Sequence, residues 1–276
     1  VDPYRMFHKV RGLHEMGTSA AVEYPHKGAN FFSERELVGH VEFMTPQGGL
    51  ILSTGAGVRM FGGFSRGMPK KSFKISARSE YGASAFEVPV FGEHTGAWLD
   101  EIVLRSGGQD AMDAGIRDAL ATRLSADMNV DIRRYSPTVL YINSRYWGIY
   151  QLRDPIDRET LGKRHGVDPQ TVRIASGEGL YKSGYFGGIR RYIATHAPSD
   201  PGAMDWVDSR VDLSSFIDWL VLQIYLDNHD GGNCRYWSTD SPTSRWRWIF
   251  YDLDLSMNDP NTRTVHRMLA PNSRSV

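Results

Sequence analysis

The sequence predicts an α+β fold in which an antiparallel, β-rich first half precedes a mainly helical second half. Two observations carry this expectation. Up to residue 153, short β-type runs alternate with glycine-rich turns, and Lys71–Arg78 shows strict period-two alternation. Beyond residue 154 lies the strongest helical pattern of the chain, Asp212–Leu226, which is apolar nearly all round. Such a layout reads as one domain over residues 1–276 in two lobes, 1–153 and 154–276, with a hinge near residues 152–156.

Taken in order, residues 1–38 lack periodicity and read as an irregular lead-in. Val41–Phe43, Leu50–Leu52 and Val58–Phe61 are short strands, separated by the turns Pro46-Gln-Gly-Gly49 and Gly55-Ala-Gly57. In the next strand Phe73, Ile75 and Ala77 alternate with Ser72, Lys74 and Ser76, which predicts a half-buried surface. Glu101–Arg105 is a further strand. Asp113–Met128 places Ile116, Ala119, Leu120, Leu124 and Met128 on one helical face. Thr138–Ile142 and Gly148–Leu152 form a hairpin around Asn143-Ser-Arg-Tyr-Trp147. Pro155 suits a first helical turn, residues 180–196 are partly helical, and the helix over Asp212–Leu226 is expected to be buried.

Composition excludes several classes. Hydrophobic residues make up 41% and charged residues 23%, with 32 basic and 32 acidic side chains. That balance offers no electrostatic footprint for nucleic acid. The single cysteine, Cys234, rules out an intrachain disulfide framework and a multi-cysteine zinc site. No apolar run approaches the roughly 18 residues of a membrane span. The chain begins at Val1 without a charged-then-apolar leader, which reads as a processed product or a fragment.

The chemistry concentrates after the long helix. Asp227-Asn-His-Asp-Gly-Gly-Asn233 is a polar, glycine-rich loop, and Trp248-Ile-Phe-Tyr251 is an apolar strand ending on Asp252 and Asp254. Phosphoryl transfer on a metal-bound nucleotide needs one Asp to orient the attacking hydroxyl, with an amide and a second Asp on the metal. Asp230 suits the first role, and Asn233 with Asp252 and Asp254 the second, Asp252 being the first choice of the two. Spacing of two puts both carboxylates on one face if the strand continues, an unfavourable pairing unless a cation compensates it. In the plainer reading Asn228, Asp230 and Gly231-Gly232 form an Asx-and-glycine turn, and Asp252 and Asp254 are helix-capping or turn aspartates ahead of Ser256 and Asn258.

Upstream, Gly62-Gly-Phe-Ser-Arg-Gly-Met-Pro-Lys-Lys71 formally contains G-x-S-x-G, but Pro69 and a strand follow where a helix is required. A glycine-rich turn leading into a lysine-bearing strand instead suits phosphate binding, through Gly63, Ser65 and one of Lys70, Lys71 and Lys74. Arg105, Asp110, Arg117 and Asp118 read as a structural ion-pair cluster. His229 has no partner at metal-ligand spacing.

Four stretches in this order resemble the spore coat protein H (CotH) kinase family, an atypical branch of the protein-kinase-like superfamily. They are Arg59–Lys74, Val103–Asp110 with Ile116–Asp118, Leu140–Tyr150, and Asp227–Asp230 with Tyr251–Asp254. The resemblance implies a two-lobed protein-kinase-like fold, ATP with Mg²⁺ or Mn²⁺, and phosphorylation of Ser or Thr on a coat or surface protein. It implies a secreted, cell-surface or spore-coat setting. It casts Asp230 as the catalytic-loop aspartate, Asp252 as the metal aspartate, Asn233 as the metal-side amide, and a lysine of Lys70–Lys74 as the phosphate anchor. A fold of this kind without catalysis, acting as a binding module, is the alternative. A metal-dependent phosphoesterase built on Asp227, Asp230, Asp252 and Asp254 is a third.

Overall fold

The computed structural model describes residues 1–89, 91, 99–177 and 184–268. The chain divides into two compact units. One comprises Val1–Ile116 with Arg134–Pro155; the other comprises Arg117–Arg133 with the chain from Ile156 onward.

The first unit is built on a six-stranded antiparallel sheet. Its strands are β1 (Leu37–Met44), β2 (Leu50–Phe61), β3 (Ser72–Ser76), β4 (Glu101–Arg105), β6 (Tyr135–Ile142) and β7 (Arg145–Arg153), in the order β1-β2-β3-β4-β7-β6. Register makes one face apolar: Val58 lies opposite Ile75, Met60 opposite Phe73, Phe73 opposite Leu104, and Leu104 opposite Leu152. That face buries against Met6, Leu13, Ala29 and Phe31 from the lead-in, which includes helix α1 (Pro3–Phe7). The lead-in is therefore part of the core. The opposite face carries Arg59 beside Lys74 and Arg105 beside Gln151.

Three expectations change here. Gly55-Ala-Gly57 is not a turn, because β2 runs through it unbroken. These glycines answer close approach: a Cβ on Gly55 would lie 1.9 Å from the Tyr81 carbonyl oxygen, and one on Gly57 2.3 Å from the Glu36 carboxyl carbon. The strand β3 is not half-buried. It sits between β2 and β4, so Ser72 and Ser76 are buried as well as Phe73 and Ile75. The β6–β7 hairpin turns on two residues only, Asn143 (φ 50°) and Ser144 (φ 64°), the left-handed pair that matches strand twist.

The second unit holds more sheet than the helical expectation allowed. Strand β5 (Asp131–Ile132), β8 (Val172–Ser176), β9 (Arg235–Thr239) and β10 (Arg247–Phe250) form a four-stranded sheet in the order β5-β10-β9-β8. Strand β10 pairs parallel with β5 and antiparallel with β9. Around it lie α2 (Arg117–Leu124), α3 (Arg158–His165), α4 (Gly184–Thr195), α5 (Ala203–Asp208), α6 (Leu213–Tyr225) and α7 (Thr264–Met268). Residues 180–183 of the expected helix 180–196 lie outside the described residues. Helix α3 starts later than Pro155: Asp157 caps it, accepting from the Thr160 amide at 2.8 Å.

Neither α2 nor α6 is buried as expected, the first read as carrying one apolar face and the second as buried nearly all round. Helix α2 buries Asp118, Ala119, Ala121 and Thr122, while Ile116, Leu120 and Leu124 are exposed. The Asp118 carboxylate reaches the Leu253 amide at 2.9 Å, and that backbone demand outranks apolar spacing. Helix α6 buries Ser215, Trp219, Leu222 and Gln223 but leaves Ile217, Val221 and Tyr225 exposed, Tyr225 at 78%. Among the described residues no helix is long and apolar enough to cross a membrane.

Candidate functional site

Helix α6 ends at Tyr225, and the loop Asp227–Asn233 follows with the backbone of its first half tied down. The Met257 amide donates to the Leu226 carbonyl (2.7 Å) and the His229 amide to the Leu255 carbonyl (3.1 Å), lacing the loop to the segment after Asp254. Asn228 is buried; its side-chain oxygen accepts from the Asp230 amide (3.0 Å) and its amide donates to Gln223 Oε1 (2.7 Å). The plainer Asx-turn reading thus holds for Asn228, and its effect is to place Asp230.

At the other side β10 ends at Phe250, and the chain leaves extended geometry at once. Asp252 has φ 63°, a left-handed conformation that a short polar side chain tolerates and most others do not. The strand does not continue, so Asp252 and Asp254 do not share a strand face. Asp252 stays partly exposed and Asp254 is buried. Between them, the Leu253 amide is held by Asp118. Sequence reading missed this role of Asp118, having placed it in an ion-pair cluster; only the fold brings helix α2 to this point.

Asn233 joins the two acidic segments. Its Nδ2 donates to Asp252 Oδ2 (2.5 Å), and its Oδ1 accepts from the Tyr251 hydroxyl (2.7 Å). Burial pushes the Tyr251 hydroxyl up to about 12, so it remains a donor at neutral pH. Burial, and then the negative charge of Asp252, raise the Asp230 carboxyl above its ordinary value, with a hydrogen bond to Asn233 opposing them. Asp230, Asn233 and Asp252 are therefore one electrostatic group.

Asp227 is a separate pair. His229 Nε2 lies 2.9 Å from Asp227 Oδ2, and the Thr264 hydroxyl donates to Asp227 Oδ1 (2.8 Å). Burial alone would raise the Asp227 carboxyl; the Thr264 and His229 contacts outweigh it and hold the group low. Among the described residues no three His, Cys, Asp or Glu side chains gather as a metal cluster.

In the first unit, Gly62 (φ 112°) opens a short turn over Phe64–Gly67, with Ser65 Oγ 2.5 Å from where a Gly62 Cβ would stand. Gly63 has open space at its Cβ position. The three lysines have different tasks. Lys70 Nζ donates to the Ile149 carbonyl (2.6 Å). Lys71 is buried, donates to the Arg66 (2.8 Å) and Met68 (2.7 Å) carbonyls, and lies 4.0 Å over the Phe31 ring. Burial brings the Lys71 ammonium down to about 8, against the pull of Glu15. Lys74 pairs with Glu101 on the neighbouring strand, and Arg59 Nε lies 3.4 Å from Glu36 on the same face. This grouping of Arg59, Lys74 and Glu101 was not anticipated; the cross-strand register creates it.

No curated protein matches the chain in direct sequence comparison. Residues 58–274 match the family described as CotH kinase protein, a stretch that takes in the glycine turn, Lys74, the Asp230 loop and Asp252. The chain belongs to the CotH kinase protein family.

Proposed function

We propose that this protein is a protein kinase that transfers phosphate from ATP, with Mg²⁺ or Mn²⁺, to Ser or Thr of a protein, on a two-lobed kinase-like fold. The observation that supports it most is the Asp230–Asn233–Asp252 group. Two carboxylates close enough that one is raised in pKa by burial and then by the other's charge favour a cation beside them. The donor set fits Mg²⁺ or Mn²⁺, hard ions that take oxygen ligands. Mg²⁺ is commonly held by one or two carboxylates together with substrate phosphates, so a dedicated cluster of three acids is not needed.

In this reading Asp252 would hold the metal, with Asp254 and Asn233 as its companions, and the ion would supply positive charge to the phosphates. Asp230 accepts and orients the hydroxyl proton of the Ser or Thr. Asn228 fixes the Asp230 backbone, and Asp118 fixes the peptide between Asp252 and Asp254. For the phosphates we favour Lys74, with Gly63 and Ser65 of the turn. Lys70 and Lys71 spend their ammonium groups on backbone carbonyls, whereas Lys74 is paired with a carboxylate, as the strand lysine of protein kinases is.

The test is phosphate transfer from ATP to a Ser/Thr-rich protein acceptor in Mg²⁺ or Mn²⁺. Asp252→Ala and Asp230→Asn should each abolish transfer while the protein stays folded. Transfer surviving Asp252→Ala would sink the metal assignment. A wild-type protein that transfers nothing and shows no thermal stabilisation by millimolar ATP and metal would instead be a binding module.

A further inference from the structure

The turn Gly62–Met68 contains one short 3-10 segment, Phe64–Gly67. Within and around its single 3-10 turn, the Arg66 amide donates to the Gly63 carbonyl (3.2 Å) and the Met68 amide to the Ser65 carbonyl (3.1 Å). It is also held from outside, by a part of the chain that precedes the family match at residue 58. The Tyr24 hydroxyl donates to the Phe64 carbonyl (2.9 Å), and the two rings pack at 5.6 Å. Arg66 Nη1 donates to the Phe32 carbonyl (3.2 Å) and to Glu34 Oε1 (3.1 Å). Phe31 lies under the Lys71 ammonium, which in turn holds the Arg66 and Met68 carbonyls. Gly67 is pressed so closely on Pro25 that a Cβ there would lie 2.8 Å from its carbonyl oxygen.

The base of this arrangement is firm. Phe31 is buried in the sheet core, and Asn30 Nδ2 donates to the Val10 (2.8 Å) and Gly12 (3.0 Å) carbonyls. We propose that Tyr24–Glu34 is a clamp that sets the conformation of the Gly62–Met68 turn and, through it, the affinity for a nucleoside triphosphate. The second half of that statement rests on the kinase reading above; the first half does not. The clamp residues position the turn and take no part in the chemistry.

The test uses the full chain carrying Tyr24→Phe with Glu34→Gln, both at exposed positions that leave the core intact. Hydrogen exchange should quicken about fivefold in residues 62–68 while β3 and β4 keep their protection, the scale of losing one net hydrogen bond. The KM and Kd for ATP with Mg²⁺ should rise by a similar factor with kcat unchanged. Unchanged exchange in the turn overturns the clamp, as does faster exchange across the whole sheet. Faster exchange in the turn with unchanged ATP affinity overturns its link to the nucleotide. If the wild-type protein binds no ATP, the kinase reading fails, and local exchange in the turn still decides the clamp.

Discussion

Replacing Tyr251 by Phe removes one oxygen atom and tests whether Asn233 is held as the structure places it. The hydroxyl donates to Asn233 Oδ1 at 2.7 Å, while Asn233 Nδ2 donates to Asp252 Oδ2. The ring stays, with the Arg235 guanidinium still 5.0 Å over it, so packing changes little. A net hydrogen bond contributes about 1 kcal/mol, and a partly buried acceptor left unpaired adds to the loss. Stability should therefore fall by about 1–2 kcal/mol, a drop in Tm of about 4 °C for a chain of this size. The consequence at the site is larger. Groups that orient metal-binding carboxylates typically change metal affinity by about 10-fold to 100-fold when removed. Mg²⁺ or Mn²⁺ affinity in the presence of ATP should fall by about 10-fold, measured by titration calorimetry. A double-mutant cycle with Asn233→Ala, read by urea unfolding, should give a coupling of about 1 kcal/mol. Coupling near zero together with wild-type metal affinity would refute the claim that Tyr251 acts through Asn233.

Lys74→Met should weaken ATP binding by about 10-fold or more, whereas Lys70→Met should change it little, because Lys70 is bound to the Ile149 carbonyl; isothermal titration separates the two. Asp131 is buried and takes hydrogen bonds from Trp237 Nε1 (2.7 Å) and His165 Nε2 (2.7 Å). Burial would raise its pKa, but the His165 contact, the Trp237 bond and Arg164 together hold it below the ordinary value. A depressed carboxylate stabilises the fold above its unfolded pKa, and that stability drains as pH falls below about 4 through the folded value. Asp131→Asn should cost about 3 kcal/mol at pH 7 by urea unfolding and flatten the acid limb of the stability profile. Gly55→Ala should destabilise by about 2–3 kcal/mol in the same assay, since the new methyl meets the Tyr81 carbonyl.

Much of this was legible in the chain because the governing physics is local. The strand around Phe73–Ile75, the β-type run Glu101–Arg105 and the hairpin that starts at Asn143 each depend on neighbouring residues and appear, although the loop is shorter than Asn143–Trp147 and the first strand is buried on both faces. The helix Leu213–Tyr225 and the strand Arg247–Phe250 likewise appear, with the aspartates following the strand. What failed was local reading of non-local demands. Gly55 and Gly57 punctuate a turn in sequence but in fact admit Tyr81 and Glu36 against a continuous strand. The apolar stripe of α2 lost to the need of one buried carboxylate to reach Leu253.

The sequence by itself determined the α+β class, the order of the acidic segments and the family, because periodicity, turn residues and motif order are written along the chain. The tertiary structure alone decided which atoms meet. It set the Asn233 amide between Tyr251 and Asp252, and it brought Asp118 to the Leu253 amide. It also divided three neighbouring lysines among three tasks, two on backbone carbonyls and one on Glu101. The physical reason is range. Hydrogen bonds and ion pairs act over a few ångströms in space between residues far apart in the chain, and only folding sets those distances.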